Sequence, residues 1–187
     1  MGSTDLAKEV ATTEPVKKSW KGNLNTFIAI TTLILALCAT LTAFKAGGYG
    51  NKMVLSQNQA SDQWAYYQAK SIKETTIQTQ RDMMELTMIQ TDKAEPYKGK
   101  IAQYDKEIAR YKQDKAEITA EAKRLEAQRD DAQRYNSNFG QALIFLQIGI
   151  LLSSLASINK VPYYWYMGLL VGGIGAAIYL YTMFTIV

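Results

Sequence analysis

The side chains in this sequence able to do acid–base, metal or nucleophilic chemistry are unevenly supplied. Histidine, the usual proton carrier near neutral pH and the commonest metal ligand, is absent. Cysteine occurs once, as Cys38, which leaves no thiolate cluster for a metal and no partner for an intrachain disulfide. Carboxylates are plentiful, but between Lys45 and Arg134 fourteen of them are interleaved with sixteen lysines and arginines. Acids spaced among cations on a helix surface form ion pairs rather than a reactive centre. No glycine-rich phosphate loop and no nucleophile elbow occurs. The expectation is a protein that is not an enzyme and that takes neither cofactor nor metal.

Recognition is the remaining chemistry. A net charge of +4 suggests nucleic acid only if one sign clusters on a face, and here the signs alternate, so no nucleic-acid partner is expected. Aromatic and arginine side chains are the usual interface anchors, and Trp64, Tyr66, Tyr67, Tyr104, Tyr111 and Arg129 are the candidates outside the apolar segments.

The elements that must position these residues follow from where the charges are missing. Gly22–Phe44, Tyr135–Asn159 and Val161–Val187 contain no Asp, Glu, Lys or Arg, and each exceeds the roughly 20 residues needed to cross a hydrocarbon core. Three transmembrane helices are expected, over 23–45, 137–159 and 162–187, behind a flexible polar tail at 1–22. The fold class is therefore an all-α membrane protein, with the lipid bilayer as its first partner. Cys38 lies in the first span after Leu37, where a lipidated cysteine wants a small residue, and is read as packing. The first apolar stretch is too long for a cleaved signal and reads as an anchor.

Between the first two spans, 51–135 is expected to form a long antiparallel coiled-coil hairpin turning near 93–96. Gly47, Gly48 and Gly50 predict a helix stop, with Asn51 capping a new helix. Ala65, Ala69, Ile72, Thr76, Thr79, Met83 and Leu86 follow alternating four- and three-residue steps and predict a weak heptad seam on the ascending arm. Pro96 suits the first turn of the descending arm. There the seam is much clearer: Tyr97, Ile101, Tyr104, Ile108, Tyr111, Lys115, Ile118, Ala122, Leu125, Arg129 and Ala132. Lys115 and Arg129 are expected to lay their stems along it and reach solvent with their charges. Asn136–Asn138 offers a cap, yet with no glycine run the arm is expected to pass almost straight into the second span.

The turn Asn159–Pro162 makes the last two spans an antiparallel pair, and Tyr163, Tyr164, Trp165 and Tyr166 stand where an aromatic belt belongs. Gly168 and Gly172, extended by Gly173, Gly175, Ala176 and Ala177, give the third span a small-residue face that lets helices approach closely in lipid.

The stretch Ala60-Ser61-Asp62-Gln63-Trp64-Ala65-Tyr66-Tyr67-Gln68-Ala69-Lys70-Ser71-Ile72-Lys73 resembles the signature of a bacterial membrane family known as domain of unknown function 4337. The layout of one span, a charged helical middle and two closing spans is similar to that family from about Trp20 onward. The resemblance implies fold and a bacterial inner-membrane location but carries no activity. On a helix the motif sets Ala60, Trp64, Tyr67 and Ser71 on one face, and a turn near residue 95 brings Trp64 opposite residue 126, within reach of Leu125 and of an Arg129 cation–π contact.

Two functions fit these readings. One is a structural scaffold that self-associates into a homo-oligomer, through Gly168, Gly172, Gly173 and Ala176 and through Tyr104 and Tyr111. The other is an accessory subunit of a transport or envelope complex, its hairpin meeting an unidentified membrane or envelope protein. Lys17, Lys18, Lys21 and Lys160 place the tail in the cytoplasm and the hairpin outside it.

Overall fold

The computed structural model describes residues 20–91 and 95–185. Three helices account for nearly all of them: α1 (Trp20–Thr91), α2 (Glu95–Asn159) and α3 (Pro162–Thr185), with no strand among the described residues. Each contains a stretch long and apolar enough to cross a membrane. Residues 1–19 of the expected tail, 92–94 at the end of the ascending arm and start of the expected turn, and 186–187 of the expected third span lie outside the described residues.

The helix stop expected at Gly47–Gly50 does not occur. Helix α1 runs through all three glycines, and Asn51 is an exposed mid-helix residue rather than a cap. Glycine lowers helix stability by only about 1 kcal/mol per residue relative to alanine, and packing here holds the helix together. The Tyr49 ring stacks on Phe139 at 5.8 Å and meets Tyr135 at 5.2 Å, and Gly50 sits beneath the Asn136 amide. Helix α2 likewise passes Asn136–Asn138 without interruption, as the absence of a glycine run there suggested. It ends at Asn159; Lys160 takes a left-handed φ of 55°, and Pro162 then opens α3, where its missing N–H is not needed.

The chain divides into two units, one of Ala43–Gly140 and one of the segments on either side. In the Ala43–Gly140 unit the two arms pair antiparallel: Gln57 meets Arg129, Trp64 meets Glu126, Lys70 meets Asp114 and Arg81 meets Asp105. All eleven expected seam positions on α2 are buried or half-buried, with Ile118, Ala122, Leu125 and Ala132 deepest.

The seam expected on α1 is wrong. Ala65, Ala69, Ile72, Thr76, Thr79, Met83 and Leu86 are all exposed. The face turned to α2 is instead Ser56, Ala60, Gln63, Tyr67, Lys70, Glu74, Ile77, Arg81, Met84 and Met88. It has the same alternating three- and four-residue period, but polar and charged side chains occupy much of it. A search for apolar spacing passes it over, because its burial is stabilised by ion pairs rather than by apolar area.

The second unit packs α1, α2 and α3 through small residues. Thr42, Ala142, Ser153, Ala156 and Thr182 are fully buried, Gly168, Gly172 and Gly175 are buried with them, and Leu35, Ala39 and Leu146 form the apolar centre with Ala176 and Cys38 against it. The large side chains point outward: Leu33 is 71% exposed, Leu151 68% and Phe184 80%.

Candidate functional site

The residues expected to recognise a partner fall into two clusters, one in each unit. The first is built by the Gln57–Lys73 stretch of α1 against residues 111–130 of α2. Ala60 is buried and Trp64, Tyr67 and Ser71 are half-buried on the inner face, as the helical spacing predicts; of the flank expected to hold Tyr66, Ala69, Lys70 and Lys73, Lys70 instead turns inward to Asp114 and the other three are exposed. Trp64 does lie opposite residue 126. Its indole N–H donates to the Glu126 carboxylate at 2.9 Å, and its ring meets Tyr67 edge-on at 5.8 Å. The expected contact with Arg129 gives way to this bond, because a carboxylate accepts an N–H more strongly than a ring face attracts a cation. The Arg129 guanidinium donates to Gln57 Oε1 at 2.8 Å and pairs with Asp130.

Two lysines cross this interface. Lys70 Nζ lies 2.6 Å from Asp114 Oδ2 and 5.4 Å from both the Tyr66 and the Tyr111 ring centroids. The hydrogen bond to Asp114 is the main reason its pKa is raised. Lys115 Nζ stands 2.5 Å from Glu74 Oε2 and 5.4 Å from the Tyr67 ring, and its pKa is raised chiefly by the hydrogen bond to Glu74. The expectation that the Lys115 charge reaches solvent is thus overturned. Glu74 is only 7% exposed, and a carboxylate this deep draws the ammonium inward, since either charge alone would be costly to bury. Tyr104 sits half-buried on the α2 seam with Lys100 over its ring. Lys70, Lys115 and Arg129 each reach a carboxylate or an amide on the opposite arm, and these contacts lock the two helices in register.

The second cluster is the glycine face of α3. A Cβ at Gly168 would stand 2.7 Å from Ser153 Oγ, and one at Gly175 would stand 2.8 Å from the Leu146 nitrogen. At Gly149 of α2 it would meet the Gly172 Cα at 2.8 Å. The close approach that small residues permit is therefore real, but Gly168, Gly172 and Ala176 receive the chain's own α1 and α2 rather than a second copy. Gly173 alone of the expected four has open space beside it. The matching ladder on α2 is Ala142, Gly149, Ser153 and Ala156, small residues whose helical spacing is visible in the sequence beside the glycine pattern of α3. The aromatic belt divides as well. Tyr163 and Tyr166 are exposed, whereas the Trp165 indole donates to Thr31 Oγ1 at 3.1 Å.

Among the described residues no three carboxylate or thiol side chains come together as a metal-holding group. The sequence profile of the family described as domain of unknown function, DUF4337, matches residues 24–185, and the chain belongs to that family. No curated protein and no solved structure matches it.

Proposed function

We propose that this DUF4337 protein is a non-catalytic, three-span membrane protein of the bacterial inner membrane, whose charged helical hairpin, paired as a coiled coil, acts outside the bilayer as a scaffold. The observation that carries the reading is the inverted distribution of size in the three-helix unit. Around Ile28, Leu35 and Leu146 the inside is filled by glycine, alanine, serine and threonine, while Phe27, Leu33, Leu37, Ile144, Leu151, Ile158, Leu170 and Phe184 face out. In water the hydrophobic effect would reverse that arrangement. In lipid, where acyl chains are as apolar as leucine, helices associate instead by close packing of small residues.

The scaffold role is supported by the cross-helix network, which spends its polar groups on fixing register. The basic residues beside the first span and Lys160 favour a cytoplasmic N-terminus and an extracytoplasmic hairpin. The test is fractionation followed by purification in mild detergent. The chain is expected to resist alkaline extraction from membranes and to purify as a uniform self-assembly. Release at high pH overturns the membrane reading, and a stoichiometric foreign protein in the purified material replaces scaffold by accessory subunit. For orientation, a cysteine at Thr91 in a Cys38→Ser background should react with an impermeant reagent on intact cells. Reaction only after permeabilisation reverses the topology.

A further inference from the structure

The displaced seam on α1 leaves a question: a heptad stripe that does not face α2 still has the spacing to face a helix. Ala65, Ala69, Ile72, Thr76, Met83 and Leu86 keep that spacing on the surface, with Ile72 68% exposed, Met83 63% and Leu86 60%. At 3.6 residues per turn the stripe lies roughly 150° around α1 from the face that packs on α2. No charge interrupts it between Ala65 and Leu86. Its threonines are apolar in effect, because the Thr76 hydroxyl donates to the Ile72 carbonyl at 2.8 Å and the Thr79 hydroxyl to that of Thr75 at 3.0 Å, turning methyl groups outward. Beside Ile72 the same face opens into a groove of about 470 Å³ floored by Thr75, Thr76 and Thr79, the kind of hole into which a partner helix inserts a knob.

We infer that this stripe is the contact between copies of the protein, α1 against α1 of a second chain in a parallel, in-register pair. Three observations select that occupant. Within Ala43–Gly140 every exposed large hydrophobic among the described residues stands on α1 and none on α2, so the outer face of a neighbour's α2 offers alanines but no large apolar side chain to fill the stripe. The positions flanking the stripe meet without like charges in a parallel pair: Gln68 faces Lys73 of the other copy, Thr75 faces Gln80, and Asp82 faces Thr87. Lastly, copies inserted in one membrane with one topology carry α1 in one direction, and a two-fold axis then sets Ile72 on Ile72 and Met83 on Met83. This last step rests on the membrane reading above. A seam rich in alanine and threonine is weak, and confinement of the copies to a bilayer raises their effective concentration enough for it to act.

Full-length protein in native membranes, with Cys38→Ser and one new cysteine at a time, tests the proposal. Ile72→Cys and Met83→Cys should give same-position disulfide dimers as the main product on mild oxidation, since like residues on the axis come within disulfide reach. Gln78→Cys and Lys112→Cys, both exposed but off the stripe, should not. Adding Ile72→Lys to a Leu86→Cys chain should abolish its dimer without loss of helicity. Alkaline extraction is read on the same samples. An embedded, helical chain with no stripe links, or with equal links at Gln78, overturns this proposal alone, as does a product that joins only a foreign protein. A chain released by alkali overturns the membrane reading and, with it, the parallel pairing.

Discussion

At the scale of single residues, the hairpin is held by a few polar contacts whose removal is measurable. Trp64→Phe keeps the ring but deletes the donor to Glu126, and at a half-buried site this is expected to cost about 1–2 kcal/mol in the chemical unfolding of the hairpin. Unchanged stability would mean water replaces the indole N–H. The lysine pairs predict a pH dependence with a definite sign. Lys70 and Lys115 are raised above the usual 10.5 by Asp114 and Glu74, so the folded hairpin holds these protons more tightly than the unfolded chain. Their contribution is complete below pH 10.5 and is lost as pH rises through the raised values. Glu121 is lowered from 4.5 chiefly by its hydrogen bond to Arg124, so its contribution is complete above that value and is lost as pH falls. Stability is therefore expected to be flat between about pH 5 and 10, with an alkaline limb that Lys70→Gln with Lys115→Gln flattens in melts across pH.

At the scale of elements, glycines divide by what surrounds them. Gly47 and Gly48 of α1 have nothing within 4 Å of a Cβ, so alanine at either is expected to stabilise the helix by about 1 kcal/mol, seen as a higher melting temperature. Gly149 and Gly175 are the reverse. A Cβ there would come within 2.8 Å of neighbouring backbone, which cannot rotate away, so Gly149→Ala and Gly175→Ala should lower resistance to detergent unfolding. Gly173→Ala, with open space beside it, should not. An equal effect at all three α3 and α2 positions would show that helix propensity, not close approach, governs this unit.

For the whole molecule, the outward placement of large side chains makes a claim about solvent. Leu151 is 68% exposed near the middle of the second apolar window, and an arginine at mid-span costs roughly 2.5–3.5 kcal/mol of insertion free energy. Leu151→Arg is expected to reduce the membrane-inserted fraction in a glycosylation-site reporter, whereas Gln78→Arg on the hairpin surface should leave it unchanged. Equal insertion of both variants would place that surface of α2 in water.

What the sequence determined by itself was the all-helical class and the three apolar segments, because a run without charge and a period near 3.5 are properties of the chain that no tertiary contact needs to supply; the number of helices was not, since packing carries α1 unbroken through Gly47–Gly50. The α2 seam was legible for the same reason: Ile118, Ala122 and Leu125 are apolar and are buried because they are apolar. The partner face of α1 was not, since Lys70, Glu74 and Arg81 are turned inward only because Asp114, Lys115 and Asp105 stand opposite them. Charge pairing across two helices has no signature in either helix read alone. The glycines illustrate the same limit. Gly47 and Gly172 are equivalent as letters, and only the neighbours, empty space at one and the Leu35 side chain at the other, decide that the first lies exposed within an unbroken helix while the second lets two helices meet.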